Sequence, residues 1–600
     1  MKTFRVLSVL ITGFLVLAGA ANADSGNEIL IEGSRDITES TDYTDFFTIG
    51  TDTEKGTLNI VGTASNPITV TTTGFKTYSD ARSINIGAYI KNGTITVTNA
   101  TFEAKNTGVW ANATGSNSAE LIVNEGGTVI TGLYPGAGQG TDHFGKITLN
   151  PGSKLISNAK AIYCGLAGSA TMKLNDADVE ANGLHVARQD VNSSTFTMHN
   201  GSMKLTNYLT MAMYGGSSEE KAVHGLINLS SDKPGEGIIT VGSFLVMAAR
   251  TGDTNGTFNM RGYSSLDVTG TVNIGNGENF TEIVADNAGK GTFNLYDSAS
   301  VTAKSYVGIG ANSSLNLYGG TFQTTGAVSN KFENAGTINI YNGAKIDVAG
   351  IYTNTGTVNI AAGGELNING NAATCESDRP NNAGLLLRDG TMNVSGTVTV
   401  KNYTDGTKAS GIVISGAAGT DATMVVNAGG VVNSGSYVWI GQQSGESGSL
   451  YVNGGTFNSM NQALYVGYRG NGYVELNNGT LYVDDNFQIA RNWGGSDEND
   501  NYQQTYSHGE VVVKGSDSYL YAGENLIVGY WQAASGVAEQ TVGRLTMNAG
   551  KAKVGYKGSG SLQMAAAGAG HEGTCSYVDM LGNSSMEIKK ISSWVRERRN

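Results

Sequence analysis

Two stretches decide the fold: Gly448-Ser449-Leu450-Tyr451-Val452-Asn453-Gly454-Gly455-Thr456-Phe457 and Gly472-Tyr473-Val474-Glu475-Leu476-Asn477-Asn478-Gly479-Thr480-Leu481. They align residue for residue. In each, apolar and polar residues alternate for a few positions, Gly and Asn interrupt, and the alternation resumes. Period-two alternation marks a short strand with one buried face, and Gly or Asn supplies the positive φ of a tight turn. Between and around these stretches, Tyr437-Val438-Trp439-Ile440-Gly441 is echoed by Ala463-Leu464-Tyr465-Val466-Gly467, Asn486-Phe487-Gln488-Ile489-Ala490 and Asn525-Leu526-Ile527-Val528-Gly529. The first two intervals are about 23–26 residues, and the third is lengthened by an insertion from Arg491 to His508.

A related pattern, Gly/Ser-Thr-apolar-Asn-apolar, runs back through the chain. It stands at Gly56-Thr57-Leu58-Asn59-Ile60, Gly256-Thr257-Phe258-Asn259-Met260, Gly270-Thr271-Val272-Asn273-Ile274 and Gly291-Thr292-Phe293-Asn294-Leu295. It returns at Gly336-Thr337-Ile338-Asn339-Ile340, Gly356-Thr357-Val358-Asn359-Ile360 and Gly390-Thr391-Met392-Asn393-Val394, with Ser314-Leu315-Asn316-Leu317 as a close variant. In each copy the two apolar residues are expected to point inward and the Asn outward, the Asn residues stacking into ladders. Phe293, Leu315, Ile338 and Val358 recur every 20–23 residues, a solenoid period.

Two or three short strands per period of about 20–26 residues make one coil of a parallel β-helix, each strand pairing with its equivalent ~4.8 Å along the axis. The fold class expected is all-β: a right-handed parallel β-helix of about 20–25 coils and roughly 100–120 Å in length. A propeller blade needs about twice this period, and a string of sandwiches needs no such short regular motif. Composition agrees. The chain has 85 Gly among 600 residues but only 5 Pro. Turns are therefore frequent, while a residue that cannot donate to a strand ladder is nearly excluded.

The start of the chain resembles a secretory leader. Lys2 and Arg5 precede the apolar run Val6 to Ala20, and Ala21-Asn22-Ala23 has the small-x-small form of a cleavage site. The expected organisation is a signal peptide over 1–23, a cap or irregular first coils over 24–55, the β-helix over 56–565 and a C-terminal cap or tail over 566–600. Cleavage takes the net charge from −13 to −15. An acidic chain without a basic stripe excludes nucleic acid as the expected partner, and no later segment is apolar enough for a transmembrane helix of the mature chain. Cys164, Cys375 and Cys575 lie about 200 residues apart, too far along a rod for a disulfide, which needs Cα atoms within ~7 Å. No Cys/His cluster has zinc-ligand spacing, so neither metal nor cofactor is expected.

The C-terminal block, best over Val438 to Phe457 and Leu464 to Leu481, resembles the passenger-associated β-strand repeats of autotransporter-like and other exported surface proteins of Gram-negative bacteria. The resemblance implies an exported β-helix at the cell surface, associated with the outer membrane or released. No C-terminal translocating barrel is discernible: the last residues, Trp594 to Asn600, are basic and polar. The function expected is non-enzymatic, adhesin-like or outer-layer structural, with surface glycans or other cell-surface proteins as partners. Trp439 and Tyr465, at equivalent outward positions of consecutive coils, are the candidate binding residues, with Tyr451 on another face beside Glu475. The alternative is a polysaccharide hydrolase or lyase using Asp484, Asp485 and His508, since paired carboxylates at suitable separation run acid/base hydrolysis of glycans.

Overall fold

The computed structural model describes residues 26–591 except 79–83, 190–192, 214–222, 249–253, 276–288, 327–330, 371–382, 402–410, 417, 494–506, 533–540, 559 and 568–573. The leader, Cys375 and most of the insertion after Arg491 lie outside the described residues.

Among the described residues all the regular structure is strand. The repeat Ser447–Asn453, Thr456–Ser459 and Leu464–Val466 shows one complete coil. Each strand pairs in parallel with its counterpart one coil on, in Asn471–Asn477, Thr480–Val483 and Phe487–Trp493. Three ladders result. The first contains 20 parallel strands, one per coil, plus the short antiparallel strand Ala113–Thr114. Twenty coils at ~4.8 Å make a parallel β-helix roughly 90 Å long, the low end of the expected count and shorter than the expected rod. Parallel pairing starts at Glu28 and Gly33, within the stretch expected as a cap or irregular first coils, and reaches Ile591, within the stretch expected as a cap or tail.

The main core is an apolar column inside the coil, and a smaller buried cluster with Ile86, Trp110, Tyr163 and Leu166 stands apart from it. Like residues stack upon like, Phe258 and Phe293 lying 4.8 Å apart and Phe332 and Tyr352 5.2 Å, while Phe322 meets Phe332 edge to face across the coil at 5.8 Å. Inward side chains such as Leu464, Val466, Leu476 and Ile489 are fully buried. This column drives folding, since each fully buried Leu, Ile or Val contributes about 1.5–3 kcal/mol.

Coil length varies while parallel pairing continues, with register shifts at Gly108/Val109 and Ala383/Leu385. Along the outward Asn ladder of the first face, coils vary from 20 residues (Asn339 to Asn359) to 35 (Asn259 to Asn294). The copy at Gly270 to Ile274 departs from expectation. Val272–Ile274 is a strand of the third ladder, and Asn273, paired with Val246 and Gly308, is buried. The same short pattern thus serves two faces, because alternation specifies a strand and its inward side but not which face of the coil it occupies.

Candidate functional site

The third ladder carries Val413, Trp439, Tyr465, Gln488 and Ile527 at one outward position on five successive coils. The Trp439 and Tyr465 rings are stacked, 6.4 Å apart and 19° from parallel, as the sequence predicts. Yet the row is largely covered, Tyr465 being 7% exposed, while Trp439 is half-buried. The covering groups come from the corner that follows. Gly441, Gly467, Ala490 and Gly529 all hold positive φ there, at 66, 71, 56 and 69°. This turn brings Tyr468, Arg491 and Tyr530 back alongside the row. The Arg491 guanidinium lies 5.0 Å from the Tyr465 ring centroid, 5.7 Å from Tyr468 and 5.4 Å from Tyr530, and it donates to the Tyr465 hydroxyl at 2.9 Å. Burial pushes the Tyr465 phenol up to about 12, against the opposing pull of Arg491. Burial likewise raises Tyr437, which stacks on Tyr465 and feels Asp485 nearby.

The corner between the second and third ladders holds Asp484 and Asp485. Asp484 accepts from the Asn461 amide at 3.2 Å and from the Tyr482 and Tyr556 hydroxyls at 3.3 and 3.5 Å, and it is ion-paired with Lys557. Burial would raise its pKa, but the Lys557 hydrogen bond and charge, the Asn461 amide and the Tyr482 hydroxyl outweigh it and hold the carboxyl below its ordinary range. One coil on, Glu524 is raised by a hydrogen bond to Asp485 and by the charge of that carboxylate. Two neighbouring carboxylates do not both ionise freely. Tyr482, Tyr521 and Tyr556 surround this acidic corner, with centroids 5.1 to 6.2 Å apart.

His508 is elsewhere. It is exposed in Ser507–Lys514 of the first ladder, paired with Asn471 and Val542, and the third-ladder strand Phe487–Trp493 separates it in the chain from Asp484 and Asp485. The structure brings the two aspartates to one corner with Glu524 and sets the histidine on another face. Tyr451 also lies on the first ladder, between Val425 and Glu475, with the Tyr473 ring 5.7 Å away. Glu475 accepts from Tyr473 at 2.7 Å and from Lys514 at 2.8 Å, an arrangement complete in itself.

No protein family, curated protein or solved structure matches this chain.

Elsewhere on the first ladder the outward asparagines behave as expected. Asn228, Asn259, Asn294, Asn316, Asn339, Asn359 and Asn393 are linked by successive side-chain hydrogen bonds of 2.8–2.9 Å. Beside them runs a stack that sequence reasoning missed. Tyr296, Tyr318 and Tyr341 lie 4.8 Å apart with planes 10° and 6° from parallel, and Arg261 sits 3.7 Å over the first ring. The signal was available, since each aromatic falls two positions after a ladder Asn. Tyr318 and Tyr341 are 45% and 40% exposed. Among the described residues, no group of His, Cys, Asp and Glu is arranged to hold a metal, and no helix is long and apolar enough to cross a membrane. Cys164 is buried and Cys575 exposed, both as free thiols.

Proposed function

We propose that the protein is an exported, non-enzymatic rod of the cell surface or extracellular medium, adhesin-like or part of an outer layer. The observation that carries this reading is the outward surface of the first ladder. Seven stacked asparagines satisfy one another along the rod, and exposed tyrosines run beside them. Such a face offers many equivalent weak contacts to glycans or surface proteins, because the same groups recur every ~4.8 Å. It agrees with the resemblance to exported surface repeats and with the leader-like start of the chain.

Two measurements test it. Fractionation of producing cells should place the mature chain in the medium or on the outer surface, and confinement to the cytoplasm would sink the export reading. Purified rod should bind immobilised surface glycans or intact cells, and the double change Tyr318→Ser and Tyr341→Ser should weaken that binding without unfolding the coil.

One observation favours a second reading, a glycan-active enzyme: the Asp485–Glu524 pair, with one carboxyl raised, beside the aromatic corner. Paired carboxyl groups, one with its pKa raised, are a group set used in acid/base cleavage of glycosidic bonds. Incubation with acidic and neutral polysaccharides, followed by reducing-end or unsaturated-product assay, decides it. Activity abolished by Glu524→Gln would support the enzyme, and no product from any polymer in the panel would remove it for those substrates.

A further inference from the structure

Thr257, Thr292, Ser314, Thr337, Thr357 and Thr391 occupy one outward position on six successive coils of the first ladder, each two residues before a ladder asparagine. This part of the face is therefore a lattice of two rows. Its groups repeat every ~4.8 Å along the rod, and the rows stand roughly 7 Å apart across it. The lattice is straight. The planes of Tyr296, Tyr318 and Tyr341, which flank the same coils, turn by only 10° and 6° from one ring to the next. A sheet stays flat over many strands when side-chain ladders hold it, and the asparagine ladder has that role here.

The two rows differ in what they leave open to a ligand. Asn259, Asn294, Asn316, Asn339 and Asn359 each spend one Nδ2 hydrogen and one Oδ1 lone pair on their neighbours. Ser314 Oγ accepts a 3.4 Å contact from Asn316. Among the described residues, the hydroxyls of Thr257, Thr292, Thr337, Thr357 and Thr391 have no hydrogen-bond partner, and these five residues are half-buried, open to solvent on the outer face. The exposed Tyr318 and Tyr341 also keep their hydroxyls free among the described residues. Stacked on one another, they offer ring edges and hydroxyls rather than ring faces.

Charge marks the same window. The two rows carry Glu120, Lys146 and Lys173 on earlier coils and Glu475, Glu510 and Arg544 on later ones, but no charged residue on these six. A ligand held here meets a neutral surface of repeated hydroxyls and amides.

Resting on the reading of this face as a glycan-binding surface, we propose that its ligand is a linear, neutral, β-linked polysaccharide of hexoses, laid parallel to the rod axis. Rings of such a chain follow one another along an extended ribbon, each advancing by close to the coil spacing of ~4.8 Å. Successive rings therefore meet successive threonine hydroxyls, which both donate and accept. An α-linked chain coils away from a straight row. A polyanion finds no cation on these two rows and meets a protein of net charge −13. Each contact is weak, but a ring already held delivers the next at high effective concentration, so contacts accumulate along the chain.

The test is ligand-observed NMR titration of the mature chain with cello-oligosaccharides of two, four and six units, with maltohexaose and hexagalacturonate as contrasts. Affinity should rise with each added pair of rings, by about tenfold or more from the dimer to the hexamer. The double change Thr337→Val and Thr357→Val keeps β-branched residues on the strands and removes two hydroxyls. It should weaken hexamer binding about tenfold. Thr171→Val, on the same row outside the window, should leave binding unchanged. Far-UV circular dichroism should show these variants folded, and if the double variant does not fold, Thr337→Val alone takes its place with about a fivefold loss. No binding of the β-linked oligomers, affinity independent of their length, preference for maltohexaose or hexagalacturonate, or undiminished binding by the double variant would each overturn the proposal. A rod that binds intact cells but none of the cello-oligosaccharides overturns this inference and leaves the adhesin reading standing. A rod that binds them but is confined to the cytoplasm overturns the export reading and leaves this inference standing.

Discussion

Ala490 sits at φ 56°, in the left-handed region that a side chain disfavours, at a corner where the neighbouring coils have Gly467 and Gly529. Left-handed strain costs about 1–2 kcal/mol, part of which is offset because alanine loses less chain entropy on folding than glycine. Ala490→Gly should therefore stabilise the rod by about 0.5–1 kcal/mol. Gly467→Ala should do the reverse, because its added Cβ would meet the His508 carbonyl oxygen at 2.2 Å. Urea unfolding of the two variants checks the opposite signs. The acidic corner makes a second residue-level prediction. Asp484 has a depressed folded pKa, so its contribution is present above the unfolded carboxyl pKa and is lost as pH falls through the folded value. Glu524 has a raised folded pKa, so its contribution is present below the unfolded value and is lost as pH rises through the folded one. Melting temperatures from pH 3 to 7 should show Asp484→Asn flattening the acid-side loss and Glu524→Gln removing the loss on the rising side. The stacking of Trp439 on Tyr465 was legible in sequence because equivalent positions in a repeat become neighbours. The Arg491 cover was not. It lies 26 residues from the tyrosine it contacts, beyond a turn that the repeat pattern does not describe.

At the scale of the element, each ladder is a column of like groups, and its strength lies in the links between coils. Asn316 donates to Asn294 and accepts from Asn339, so Asn316→Ala removes two links between coils at once. Net hydrogen bonds are worth about 1 kcal/mol, so a loss of about 1–2 kcal/mol is expected, and Asn228→Ala, which removes the link to Asn259, should cost less. Denaturant titration of both variants tests the ordering. Inside the coil, Val466→Asp buries a charge beside Ile440 and Ile489 and should destabilise by several kcal/mol. An equally stable variant would mean that this side chain is not inward. Strand direction and inward face followed from alternation alone. Assignment to a ladder did not, as Asn273 shows, because that depends on how many residues each corner absorbs.

For the whole molecule, twenty coils imply a rod of roughly 90 Å, and small-angle scattering should give a cross-section far smaller than this length. A compact globule would contradict the coil. Abundant Gly, scarce Pro and the period-two repeats were sufficient to specify an all-β parallel solenoid, because nearly every strand must pair on both sides and turn at short intervals. They were also sufficient to place inward and outward residues, since pairing like with like is local information repeated coil after coil. Which outward groups meet was settled in three dimensions. The separation of His508 from Asp484 and Asp485 and the pairing of Asp485 with Glu524 both depend on corners. There, chain excursions of unequal length return to the same ladder, and no repeat in the sequence records their path.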